Sequence, residues 1–182
     1  MEKDEWDDYH KYEVTLENLV ENHIILIKFL EDNFGKEAIP KYYDTKNEMN
    51  YLNKIGKGVK VVAKVIKTLS SKKFFDIFID QLVKQAQYMI PLKCITGIDY
   101  TEKKAVIHVD KCLTKRIFRR GIKKFKVQEQ ISENAFCKYN CIPTFQTYGR
   151  IGNIIVSGLF KEKGCDIIAE LPRDQPAPSN TK

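Results

Sequence analysis

The hydrophobic period of this chain changes once, at Pro91, and that change constrains the fold more than any other feature. Before Pro91 the apolar residues recur at steps of three and four; after it they alternate in short β-branched runs. The first spacing belongs to helices with one buried face, the second to strands with one buried face. An α+β domain is therefore expected: a helical amino-terminal half of about four helices, then a β-hairpin, two further helices and a closing strand, forming a small antiparallel sheet.

Leu16, Leu19, Val20, His23, Ile24, Ile27, Leu30 and Phe34 make one stripe on a first helix, which Gly35 can end. Pro40 suits the first turn of a second helix reaching Leu52. Val59, Val62, Ala63 and Ile66 mark a third, with Lys57, Lys60, Lys64 and Lys67 along its opposite side. Ser71 can cap a fourth, carrying Phe74, Phe75, Phe78, Leu82 and Met89 to the stop at Pro91. Lys93 to Asp99 and Ala105 to Asp110 read as the hairpin, and Ile117, Phe118, Ile122 and Phe125 as the inward side of a basic helix with Lys115 at or outside its margin. Phe145, Tyr148, Gly149, Gly152, Val156 and Leu159 suggest a last helix, and Asp166 to Leu171 a closing strand. The organisation expected is an acidic arm (1–13), one domain (14–171, divided near residue 90) and a disordered polar tail (172–182).

Charge is divided along the chain. Residues 1–35 hold ten acids against three bases, while the whole chain carries a net charge of +7. Arg116, Arg119, Arg120, Lys123 and Lys124 gather on the basic helix, where they form candidate contacts to nucleic acid, another anion or an acidic partner. No apolar run approaches the roughly 18 to 20 residues that span a bilayer, and the acidic start is the reverse of a basic signal-peptide region. A cytoplasmic protein with no membrane partner is expected, one that leaves room for a homodimer. Its five cysteines should then stay reduced.

Four of those cysteines form the sharpest chemical signal. Cys112 and Cys137 are separated by 24 residues, Cys137 and Cys141 form a C-x3-C pair, and 23 more residues precede Cys165. Each falls at an expected element boundary, so one edge of the sheet can collect them. Thiolates are soft ligands suited to tetrahedral Zn²⁺ or an iron–sulfur cluster. Inert buried thiols are the competing reading, to which Cys94 is assigned. His23, His108 and Tyr148 are the candidate small-molecule contacts, with His108 also a proton donor. No dinucleotide-binding, P-loop or H-E-x-x-H pattern occurs, and no catalytic residue is identified.

The order of elements, with the stretches Phe34-Gly35-Lys36-Glu37-Ala38, Val106 to Cys112, Cys137-x3-Cys141 and Gly149 to Gly158, resembles the 4-vinyl reductase superfamily and its L-2-amino-thiazoline-4-carboxylate hydrolase-like members. The resemblance spans about residues 14 to 171 and departs from the family in lacking a late G-D-x-x-C element. It implies a small-molecule sensor or carrier domain, in some members metal-bearing and in others a hydrolase of a sulfur heterocycle. A small-molecule-binding domain with a four-cysteine metal site is thus the leading expectation. A ring-opening hydrolase and a basic nucleic-acid-associated or assembly module are the alternatives.

Overall fold

The computed structural model describes residues 8–49 and 71–172. The expected third helix with its lysine face, the end of the second helix and nearly all of the tail lie outside the described residues.

Helix α1 (Asp8–Phe34) starts within the stretch read as an acidic arm and buries Leu16, Val20, His23, Ile24, Ile27 and Leu30. Leu19 and Phe34, at the margins of the expected stripe, face outward instead. Gly35 follows it with φ +81°. Helix α2 (Ala38–Asn47) carries Pro40 in its first turn and buries Ile39, Tyr43 and Asn47, which at steps of four form a single face. Helix α3 (Ser71–Ala86) buries Phe74, Phe75, Ile79, Leu82 and Ala86. A turn burying Met89 and Ile90 brings the chain to Pro91.

One turn of 3-10 helix (Leu92–Cys94) leads into the hairpin of β1 (Ile95–Tyr100) and β2 (Lys104–Val109). Helix α4 (Leu113–Lys124) follows. A π-helical turn (Cys137–Cys141) then runs directly into α5 (Ile142–Gly152). The expectation of a last helix continuing to Leu159 is corrected here. The helix stops at Gly152, because Asn153 turns left-handed at φ 54° and closes hydrogen bonds to the Arg150 and Gly149 carbonyls. The β-branched residues after it form β3 (Ile155–Phe160), paired antiparallel with β4 (Cys165–Glu170). The sheet therefore has four strands, all antiparallel, in the order β1-β2-β4-β3.

On one face of the sheet Ala105, Ile107, Val109, Ile167 and Ala169 are buried against the helices. The alternate residues, His108 and Asp166 among them, stand on the other face. Helix α1 packs along α4, and their charges give the direction: Glu13, Glu17 and Glu21 pair with Arg116 (3.6 Å), Arg120 (2.8 Å) and Lys124 (2.8 Å) in the same order, so the two helices run parallel. Gly121 makes the approach close, since a Cβ there would lie 2.4 Å from Ile24 Cδ1. No helix among the described residues is long and apolar enough to cross a membrane.

Candidate functional site

The loop between β2 and α4 sets the first thiol. Lys111 adopts a left-handed conformation at φ 44°, its N–H bonded to the Asp110 carboxylate, and the turn delivers Cys112 to the N-cap of α4. The β3–β4 turn comes up against it, the Cys112 N–H donating to Lys163 O at 2.9 Å. Gly164 permits this contact, because a Cβ there would fall 1.9 Å from the Val109 carbonyl oxygen. Cys165 is the next residue, opposite Val109 in β2 and Phe160 in β3. Cys137 and Cys141 come from the π turn, and the Cys137 carbonyl accepts from the Ile142 N–H five residues on. Such turns occur mostly as single-turn insertions in α-helices, frequently at functional sites.

All four thiols are buried, with exposures from 5 to 7%, and Cys137, Cys141 and Cys165 are each shifted in part by others of the set. Burial pushes Cys137 up to about 11, with Cys112 adding to the shift and Lys115 opposing it. Burial pushes Cys165 up to about 12, with Cys137 and Cys112 adding. Cys141 is raised well beyond the ordinary thiol range by burial, then by Cys137, Cys165 and Cys112. Cys112 is raised by burial, against the pull of the Lys115 and Thr114 N–H groups, which approach its sulfur without closing a cap hydrogen bond. Without a metal these are protonated thiols at neutral pH. Among the described residues no three His, Cys, Asp or Glu side chains stand at the spacing of metal ligands. The four sulfurs are in electrostatic reach of one another and packed as thiols.

Two residues join the cluster that the sequence reading had set outside it. Lys115, expected at or outside the margin of the basic helix, is only 3% exposed, and its Nζ donates to the Lys161 carbonyl beside Cys137 and Cys165. The spacing contained the signal, for Lys115 precedes Phe118 by three and Ile122 by seven, on the buried stripe of α4. Cys94 lies close enough to Cys112 to raise it, its Sγ directed at the Lys111 carbonyl at 3.6 Å. Tyr12 of α1 adjoins these two thiols and is raised to about 12, chiefly by burial and then by Cys94 and Cys112.

The three expected small-molecule contacts occupy separate places. His23 is buried between α1 and α2, Nδ1 at 2.6 Å from Tyr43 Oη and its ring edge-on to Phe136. Burial, assisted by Lys46, lowers it to about 4. His108 is on the far face of the sheet, bonded through Nδ1 to Asp166 (2.8 Å) and through Nε2 to Asp99 (3.0 Å), and those two bonds raise its pKa. Tyr148 of α5 bonds Gln85 of α3 at 3.3 Å. Of the expected anion contacts, Arg116, Arg120 and Lys124 pair with α1 as described and Arg119 pairs with Glu133 at 2.7 Å, while Lys123 is exposed. Much of the basic face is thus answered by the chain's own acids.

A second feature was not foreseen. A cleft of about 490 Å³ opens between the end of α2, the outer side of α5 and the start of β3. Asn47 forms part of its wall, is 1% exposed, and among the described residues has no hydrogen-bond partner for either Oδ1 or Nδ2.

Comparisons with protein-family models, curated proteins and solved structures gave no match.

Proposed function

We propose that this chain is a cytoplasmic small-molecule-binding domain built round a metal centre in which Cys112, Cys137, Cys141 and Cys165 hold Zn²⁺ or an iron–sulfur cluster. The resemblance to the 4-vinyl reductase superfamily belongs to the same proposal. The observation that carries it is the gathering of four buried thiols from the head of α4, the π turn and β4, with the Lys115 amine among them.

The support is chemical: four thiols are the donor type that Zn²⁺ and iron–sulfur clusters take. Four thiolates around Zn²⁺ leave two net negative charges, and Lys115, whose Nζ donates to a carbonyl, would supply a counter-charge where water is excluded. Binding would displace the thiol protons, reversing the burial shifts, because a metal is the largest local charge in such a site. All five cysteines are free, as a reducing compartment requires. Bound metal would tie the hairpin side, the π turn and β4 together; a closed four-thiolate set is structural, whereas a hydrolase would need an open position.

Metal analysis of anaerobically purified protein, with its visible spectrum, tests this. About one zinc per chain in a colourless protein, or iron and sulfide in a brown one, is the expected result. Metal-free protein that takes up neither from a reduced solution overturns the proposal.

A further inference from the structure

From the composition and register of β3 we infer that a second copy of this chain pairs with its free edge, antiparallel about a two-fold axis at Ser157, so that two sheets join into one. The inference goes beyond the proposed function and depends neither on the metal nor on a bound small molecule.

The sheet ends in β1 on one side and in β3 on the other. Edge strands that stay single are usually interrupted or charged, because their unpaired N–H and C=O groups are a template for further pairing. β1 has both defences, a break in register between Ile95 and Gly97 and the Asp99 carboxylate. β3 has neither. Its residues Ile155 to Phe160 include no charge and no proline, and all pair with β4 in unbroken register. Helix α5 covers the inner face of β3, where a Cβ at Gly158 would lie 2.5 Å from Ile142 Cδ1. Among the described residues nothing pairs with the free edge.

The register names the occupant. The Lys161 N–H donates to Gly164 O at the β3–β4 turn. Alternation along an antiparallel ladder then turns the N–H and C=O of Ile155, Ser157 and Leu159 toward β4 and those of Val156, Gly158 and Phe160 toward the free edge. Two β3 strands centred on Ser157 set Val156 of each copy against Gly158 of the other, both with outward backbone groups to exchange. On the outer face the same register sets Ile155 against Leu159. Each of these is 57% exposed, and the residue opposite it within the chain is a carboxylate, Glu170 for Ile155 and Asp166 for Leu159. A second copy gives both an apolar cross-strand neighbour. Centring the pair on Gly158 instead would face Leu159 with Ser157 and Ile155 with Lys161, so the side chains select the first register. Such a contact is isologous and closes as a dimer, with the interrupted β1 at each outer end.

Sedimentation of the full chain from about 1 to 500 µM should show a monomer–dimer equilibrium with a micromolar Kd, since one strand pair lies at the small end of specific interfaces, under about 1,200 Å². Leu159→Lys, at an exposed position, should weaken the dimer at least about tenfold and leave the far-UV circular dichroism unchanged. Ser157→Cys should form a disulfide-linked dimer under diamide beyond the background of the parent chain, because residues at the axis face each other as a non-hydrogen-bonded pair with Cα atoms about 4.5 Å apart, within disulfide reach. Leu159→Cys, which faces Ile155, should not. Monomer across the whole range overturns the inference, and so does a dimer that Leu159→Lys leaves intact. Cross-linking of Leu159→Cys as readily as of Ser157→Cys overturns it too, for the two strands would then meet in another register. The same results in metal-free protein would support the dimer even where the metal centre had failed.

Discussion

The thiol cluster and the Asn47 cleft both bury polar side chains, but at very different cost. A protonated thiol is a small hydrophobe with a weak donor, so Cys112, Cys137, Cys141 and Cys165 can sit in the core without partners. A carboxamide cannot without cost, and Asn47 leaves both its polar atoms unanswered among the described residues. The thiols are therefore inexpensive to bury and would change character when a metal removed their protons, whereas the Asn47 carboxamide carries a desolvation cost. Lys115 breaks the parallel, since it places a cationic side chain within the otherwise inexpensive cluster.

The largest effects should come from that asymmetry. In metal-loaded protein Cys141→Ser should lower Tm by several degrees, because metal binding is partly folding free energy, while in metal-free protein the change should be small. Lys115→Met sharpens the same point through a reversal of sign. With metal bound it should weaken metal affinity about 10- to 100-fold, as loss of a supporting partner does. Without metal it should leave Tm equal or higher, since a buried amine goes. Competition with a chromogenic chelator and thermal melts of both forms measure the pair of effects. A destabilisation of equal size in both forms would mean that Lys115 serves the fold alone.

Next in size is an effect of pH that contrasts the two histidines. His23 has a folded value of about 4 against an ordinary value of 6.5. Between those values the unfolded chain binds a proton that the folded chain does not, so this contribution is complete above pH 6.5 and lost as pH falls toward 4. At about 1.4 kcal/mol per unit it amounts to about 3 kcal/mol. His108, raised by Asp166 and Asp99, has the opposite sign: its contribution is present below 6.5 and lost as pH rises through its folded value. Urea unfolding at pH 7.5 and 4.5 should show a smaller acid loss in His23→Gln than in the parent chain. An unchanged difference would refute the assignment.

How much of this was legible in sequence follows from what each pattern reports. The change of period at Pro91 located the helical half, the hairpin and the basic helix, because one-sided burial imposes its repeat on the residues themselves. It failed at 153–160, where Gly149, Gly152, Val156 and Leu159 imitate helical spacing while Asn153 reverses the chain. Cysteines at element ends could be seen to be candidates for one cluster, since their positions depend on element order. The burial of Lys115 and Asn47 could have been read from their stripes, Phe118 and Ile122 for one and Ile39 and Tyr43 for the other. The rule that buries apolar residues excluded them. The pairing of α1 with α4 could not be read, for it depends on which faces meet in space, and it is this pairing that engages Arg116, Arg120 and Lys124.

The smallest effect concerns that seam. Exposed ion pairs contribute about 0.2 to 1 kcal/mol each and are screened by salt. Glu17→Gln, which removes the 2.8 Å pair with Arg120, should lower stability by no more than that, and the loss should shrink in about 1 M salt. A loss that persists at high salt would mean that the contact stabilises through packing and not through charge.

Hydrogen exchange with and without a strong chelator tests the central claim most directly. If the four thiols hold a metal that joins the head of α4, the π turn and β4, chelation should strip protection from residues 112–171 first and leave α1 and α3 protected. Unchanged protection in both regions, with no metal released, would contradict the account and return the cysteines to packing alone.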